Sequence, residues 1–215
     1  MKGVAMAGTR GVKGVAMAGT PGVKATRELS DRGAETRTLI LDTALEAFAE
    51  AGFRGTSVRE IAARCGLTHP ALLYHFPTKA DLLMAVLSRR DQADGGDGFG
   101  DLGAHAMLEH LVATARLNAT QRGVVELYAT LSAEATGRDH PAHEYFRRRY
   151  ASLVADLTRG FAELAAGGQL AARTDPSVAA RQLVALMDGL QVQWLLDPEV
   201  DMAGLLEAYL DTQLA

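Results

Sequence analysis

The sequence predicts an all-α protein. It consists of an N-terminal three-helix unit of helix-turn-helix type and a larger C-terminal helical domain. Two observations carry this reading. Residues 56–81, TSVREIAARCGLTHPALLYHFPTKAD, contain three helix starts in quick succession, two of them on short helices joined by a glycine turn. On either side, apolar residues recur at helical period between cap and breaker residues. The expected division is residues 1–33 as a Gly-rich arm, 34–80 as the helix-turn-helix domain and 81–215 as the helical body.

Composition sets the bounds. Hydrophobic residues make up 48% of the 215 residues and charged residues 22%, an ordinary balance for a globular chain. No window approaches the ~18 uninterrupted apolar residues of a membrane span, so no membrane partner is expected. The single cysteine, Cys65, excludes an intramolecular disulfide and fits a reducing, cytoplasmic compartment; it is expected to be a small buried hydrophobe. Charge is asymmetric: residues 1–80 carry 11 Lys/Arg against 7 Asp/Glu, and residues 81–215 carry 11 against 19. A basic end on an acidic body suits a polyanion at that end only.

In chain order, Lys2–Val12 (KGVAMAGTRGV) and Lys13–Val23 (KGVAMAGTPGV) form a tandem duplication. Two copies are too few for a solenoid, and the apolar segment of a secretory signal is missing. A disordered arm is expected, or a start codon assigned too far upstream. From about Glu35 a helix begins, with Ile40, Ala44 and Phe48 every fourth residue and Leu41 and Leu45 beside them; Gly52 stops it. Ser57 and Glu60 have capping-box spacing ahead of VREIAARC, and Gly66 makes the break. Thr68 caps the next helix, Pro70 lies in its first turn, Pro77 ends it, and Thr78 with Asp81 starts another.

The Gly/Asp run 93–103 is the expected boundary between reader and body. Five body helices follow: about 105–117, about 121–135, 143–166 ended by Gly167-Gly168, one capped by Asp175-Pro176, and one capped by Asp201. Arg147-Arg148-Arg149 is expected to be a solvated helix face. His105, His110, His140 and His143 have no Cys partner or convincing carboxylate spacing, so neither a metal site nor a cofactor is expected. Asp156 and Asp188 stand isolated, and no nucleophile–base–acid set or phosphate loop is visible; the chain is not expected to be an enzyme. The last two helices are apolar on more than one face, which calls for burial against a second chain.

Thr36 to Val86 resembles the DNA-binding region of the TetR (tetracycline-repressor) family. The matching residues are Ile40-Leu41, Ala44, Phe48, Gly52-Phe53, Thr56-Ser57-Val58, Ile61-Ala62, Gly66-Leu67, Leu72, Tyr74-His75-Phe76, Lys79 and Leu82-Leu83. The resemblance implies that Thr68, His69, Pro70 and Ala71 face the major groove, where His69 can bond a base edge and Pro70 and Ala71 can meet a thymine methyl. Tyr74 and His75 would contact the backbone, Lys79 would hold a phosphate, and the helix start at Thr56-Ser57 would hold another. Leu73 departs from the family, which usually has tyrosine there, so Tyr74 carries more of that contact.

The segment DGLQVQWLLDP (188–198) is similar to the family's C-terminal dimerisation type. On that resemblance the last two main helices form a four-helix bundle between two copies, with Leu183, Leu186, Leu190, Leu205, Leu206 and Tyr209 as candidate interface residues. A small effector is implied among the body helices, with Met107, Leu111, Tyr128, Tyr145, Phe146 and Trp194 as candidate lining. Little charge faces inward by pattern, so a mostly apolar effector is expected. The implied function is a dimeric transcriptional regulator, a repressor released from an inverted-repeat operator in double-stranded DNA by its effector. The alternatives are a small helical enzyme and a dimeric scaffold that does not bind DNA.

Overall fold

The computed structural model describes residues 21–93, 99 and 102–215, the side chains of 21–31 and 92–93 excepted. Packing divides the chain into two units, Met1–Thr36 and Arg37–Ala215. The helices run α1 (Pro21–Gly55), α2 (Val58–Arg64), α3 (His69–His75), α4 (Lys79–Ala93), α5 (Ala104–Asn118), α6 (Arg122–Glu134), α7 (His143–Ala166), α8 (Pro176–Leu196) and α9 (Met202–Gln213). There is no β-strand among the described residues. One antiparallel bridge, Leu170 with Leu214, fastens the end of α9 to the turn after α7. No helix among the described residues is long and apolar enough to cross a membrane.

α1 starts earlier than the expected Glu35. Proline at a first helical position loses no hydrogen bond, and no further proline follows Pro21 before the apolar stripe begins, so the helix has no strong stop to meet. In the first unit the Thr36 hydroxyl donates to the Arg32 carbonyl at 2.8 Å. Residues 1–20 of the expected arm, and most of the Gly/Asp loop 93–103, lie outside the described residues. Gly52 breaks α1 with φ 71°, ψ 165°, where the sequence places the stop.

The helix-turn-helix is closed by local bonds. At the end of α2 the Leu67 amide donates to the Ala62 carbonyl (2.8 Å) and the Gly66 amide to Ala63 (3.1 Å), with Gly66 at φ 68°. That is the two-bond left-handed helix ending that glycine permits. Thr78 and Asp81 exchange bonds at the start of α4, the carboxylate accepting from the Thr78 amide (3.1 Å) and the Thr78 hydroxyl accepting from the Asp81 amide (3.0 Å). Only half of the Ser57–Glu60 box forms. Ser57 accepts from the Glu60 amide at 3.1 Å, but the Glu60 carboxylate pairs with Arg64 at 2.7 Å, which also grips Glu50 at 2.7 Å.

Two main cores and a small third one follow. Ile40, Ala44 and Phe48 of α1, Ile61 of α2, Leu72 of α3 and Leu82, Leu83 and Leu87 of α4 share the first core with Leu127 and Leu131 of α6 and Phe146 of α7. A seven-residue helix is marginal alone, so α3 depends on Leu72 and the following Phe76, which are 0% and 2% exposed. Cys65 packs partly buried against this core. The second core joins α5, α7, α8 and α9 around Leu157, Phe161, Leu183 and Leu206. The third holds Val125, Leu190, Trp194 and Met202. α7 packs chiefly on α8.

Candidate functional site

α3 presents a capped, outward face. The Thr68 hydroxyl accepts from the Ala71 amide at 3.3 Å, which fixes the first turn, and Pro70 occupies it without losing a bond. Thr68 and Pro70 are exposed, His69, Ala71, Leu73 and His75 are half-buried, and Tyr74 is 87% exposed. An aromatic side chain that open takes no part in the core, into which Leu72 on the opposite face of the helix is fully buried. Its ring meets the His75 ring edge-on at 5.5 Å. The inner end of α3 is held by Arg37, which donates to the His75 carbonyl at 3.2 Å and lies 4.2 Å over the Phe76 ring.

Lys79 lies at the edge of this face. Its ammonium is 4.5 Å over the Phe53 ring and 3.5 Å from the Arg54 carbonyl, and burial lowers its pKa. Ser57 is exposed at the start of α2, and the side chain of Thr56, just before it, is buried. It is 2% exposed, with its hydroxyl 2.9 Å from both the Ala47 and Gly52 carbonyls. The sequence reading gives a phosphate to the helix amides at Thr56-Ser57; the Thr56 hydroxyl itself bonds the broken end of α1.

A cavity of about 140 Å3 opens in the body, walled by α4 to α8. Tyr128, Phe146, Tyr150, Leu153, Val184 and Met187 give it apolar sides, and Arg90, Arg149 and Asp188 bring charge into it. Arg149 is ion-paired with Asp91 and stands 5.5 Å over the Tyr128 ring. The Tyr145 hydroxyl donates to the other Asp91 oxygen at 2.6 Å. Tyr150 donates to Asp188 at 2.8 Å. Burial pushes the Tyr150 phenol up to about 12, and the Asp188 carboxylate adds to the shift. Burial likewise raises the Asp188 carboxyl, against the lowering effect of the Tyr150 bond and of Arg149.

This cavity departs from the expected lining. Tyr128 and Phe146 reach it, whereas Met107 and Leu111 belong to the second core and Trp194 to the third. Met107 is committed to packing on Gly160, where any Cβ would collide with its methyl. Tyr145 faces Asp91 and the first core. Arg149 also leaves the solvated face assigned to it. Arg147 and Arg148 do pair with Glu144 on the surface, but Arg149 turns inward. Its position three residues after Phe146 and four before Leu153, both cavity residues, was the available signal.

Residues 40–86 match the family profile of bacterial regulatory proteins of the tetR family, and residues 104–215 match that of the BetI-type transcriptional repressor C-terminal domain. The chain belongs to the TetR family. It is 29% identical to the HTH-type transcriptional regulator TtgR of Pseudomonas putida over 202 residues, 87% of this chain and 94% of TtgR. It is 28% identical to the HTH-type transcriptional repressor BepR of Brucella suis, across 79% of this chain and 85% of BepR. Among solved structures it resembles NalD, the secondary repressor of the MexAB-OprM multidrug efflux pump in Pseudomonas aeruginosa. The TM-score there is 0.67 and the identity 26%, covering 86% of this chain and 98% of NalD. These TetR-family relatives are transcriptional regulators, not enzymes.

On this TetR-family chain the apolar surface of α8 and α9 is not the one the sequence suggests. Leu183, Leu190 and Leu206 are buried in the chain's own cores, Leu186 and Tyr209 are half-buried, and Leu205 alone of the six is exposed, at 48%. The exposed apolar residues of α8 are Val178 (50%), Val192 (50%) and Leu196 (84%). Val178, Ala185 and Val192 are seven apart, as are Gln182, Gly189 and Leu196, which is the spacing of an interhelical seam. Helical period reveals two stripes on α8 but does not say which of them the protomer keeps for itself.

Proposed function

We propose that this TetR-family regulator is a dimeric, cytoplasmic repressor that leaves an inverted-repeat operator when a small molecule fills the body cavity. The observation that carries the DNA-binding part is the α3 face, with Thr68, Pro70 and Tyr74 outward over a buried Leu72. Thr68, His69, Pro70 and Ala71 are assigned to base edges. Tyr74, His75 and the helix start at Thr56-Ser57 are assigned to the backbone, with Lys79 swinging from the Arg54 carbonyl to a phosphate. The names of BepR and NalD support the sign of regulation.

Reading an inverted repeat requires two copies related by a two-fold axis. The exposed seam of α8, with Leu205 of α9, supplies the surface for that pairing. Residues 34–80 are assigned to reading and 81–215 to effector binding and dimerisation. The two parts share a core: Arg54 pairs with Glu134 at 3.6 Å and the Phe53 ring meets His140 edge-on at 6.0 Å. A change in the body therefore has a packed route to α3. Coupling between such sites is typically about 1–3 kcal/mol.

The test is a binding selection on fragmented genomic DNA with the parent protein and with His69→Ala/Lys79→Ala. Enrichment of a short inverted repeat by the parent alone is expected. No enrichment at low or moderate salt would sink the proposal.

A further inference from the structure

We infer that the cavity's ligand is an amphipathic acid: an apolar, ring-sized body bearing one carboxylate, which takes Arg149 from Asp91. This rests on the reading of the cavity as an effector site and adds the ligand's chemical class and the contact it breaks.

The lining is charged unevenly. Two guanidinium groups, Arg90 and Arg149, reach the cavity against the single carboxylate of Asp188. That carboxylate already accepts the Tyr150 hydroxyl at 2.8 Å. Asp91 is not in the wall; it lies behind Arg149 and pairs with it from there. A cation entering among Tyr128, Phe146 and Tyr150 would meet guanidinium groups it cannot bond and an Asp188 carboxylate already bonded to Tyr150. A carboxylate would meet a planar fork of donors suited to two-point binding. The Asp91 and Arg149 side chains are 16% and 36% exposed, so their pairing is screened less than a surface pair and a second carboxylate competes with it on similar terms.

Position gives that competition a consequence. Asp91 is in the last turn of α4, and Arg149 and Tyr145, which bond it, are on α7. The first residue of α4, Lys79, lies against Phe53 and Arg54, within the reading unit. Taking Arg149 away removes one of the α7 contacts on Asp91, and so weakens the hold of α7 on the end of α4 that faces the cavity.

The experiment uses the full chain and three probes with one skeleton, 4-phenylbutyrate, 4-phenylbutan-1-ol and 4-phenylbutylammonium, titrated by calorimetry. The acid is expected to bind at least about tenfold tighter than the ammonium, with the alcohol between, and Arg149→Gln is expected to erase the acid's advantage. Asp91→Asn removes the competitor: the acid binds tighter, while the selected operator duplex, with no ligand added, binds about tenfold weaker. Tyr145→Phe takes away the contact that Asp91 keeps when the acid holds Arg149, so the acid is expected to bind weaker and the operator slightly weaker; it covers the case in which Asp91→Asn fails to fold by circular dichroism.

Equal binding of the three probes, no binding of the acid, or a preference for the ammonium lost in Asp188→Asn would each overturn the inference. So would variants at Asp91 and Tyr145 that bind acid and operator like the parent. A parent that selects no DNA would sink the regulator reading instead, and the probe series remains readable without DNA.

Discussion

Thr56 shows how one hydroxyl can be claimed by the fold. It lies between the Ala47 and Gly52 carbonyls at the point where α1 breaks, and it is 2% exposed. Thr56→Val keeps the shape and removes the donor, so it should cost about 1–2 kcal/mol in chemical denaturation. Specific and non-specific DNA affinity, measured where the variant is folded, should change alike. Tyr150 gives a second prediction. Its phenol is pushed up to about 12 from an ordinary 10.0, so the folded state holds that proton longer than the unfolded state. The resulting stability is fully present below pH 10 and is lost as pH rises through 10 towards 12. Tyr150→Phe should remove that part of the alkaline decline, and a phenolate absorbance titration should lose one step near pH 12.

Among the elements, those specified by neighbours in sequence were legible. Gly66 at φ 68° ends α2, Thr68 caps α3, Thr78 with Asp81 starts α4, and Asp175 caps α8 by accepting from the Ser177 and Val178 amides. Gly66→Ala should destabilise by about 1–2 kcal/mol in a thermal melt, because a Cβ is strained at that φ although no neighbour crowds it. Contacts distant in sequence were not legible. Arg37 reaches the His75 carbonyl across 38 residues, and Arg149 reaches Asp91 across 58. No periodicity predicts either partner, so the reading face was visible in the sequence while its support and the charged cavity wall were not. The two apolar stripes of α8 were visible too, but only packing shows that Leu183 and Leu190 serve the protomer's own cores while Val192 and Leu196 stay outside.

The whole molecule ties the reading unit to an acidic body through one shared core, so its parts should fail separately only at the outer face of α8. Val178→Glu/Leu196→Glu should leave helical circular dichroism intact, shift sedimentation to the monomer and abolish tight operator binding together. A variant that remains dimeric would place the seam elsewhere. The most direct test of a reader made by α3 is fluorescence anisotropy on the selected duplex and a scrambled one, over a salt series, for the parent and Tyr74→Ala. The parent should prefer the selected duplex, and its log affinity should fall with log salt by about 0.9 per phosphate neutralised. Tyr74→Ala should bind it less tightly. A parent with equal affinity for both duplexes, or a Tyr74→Ala variant indistinguishable from the parent, would contradict the assignment of that exposed face to DNA.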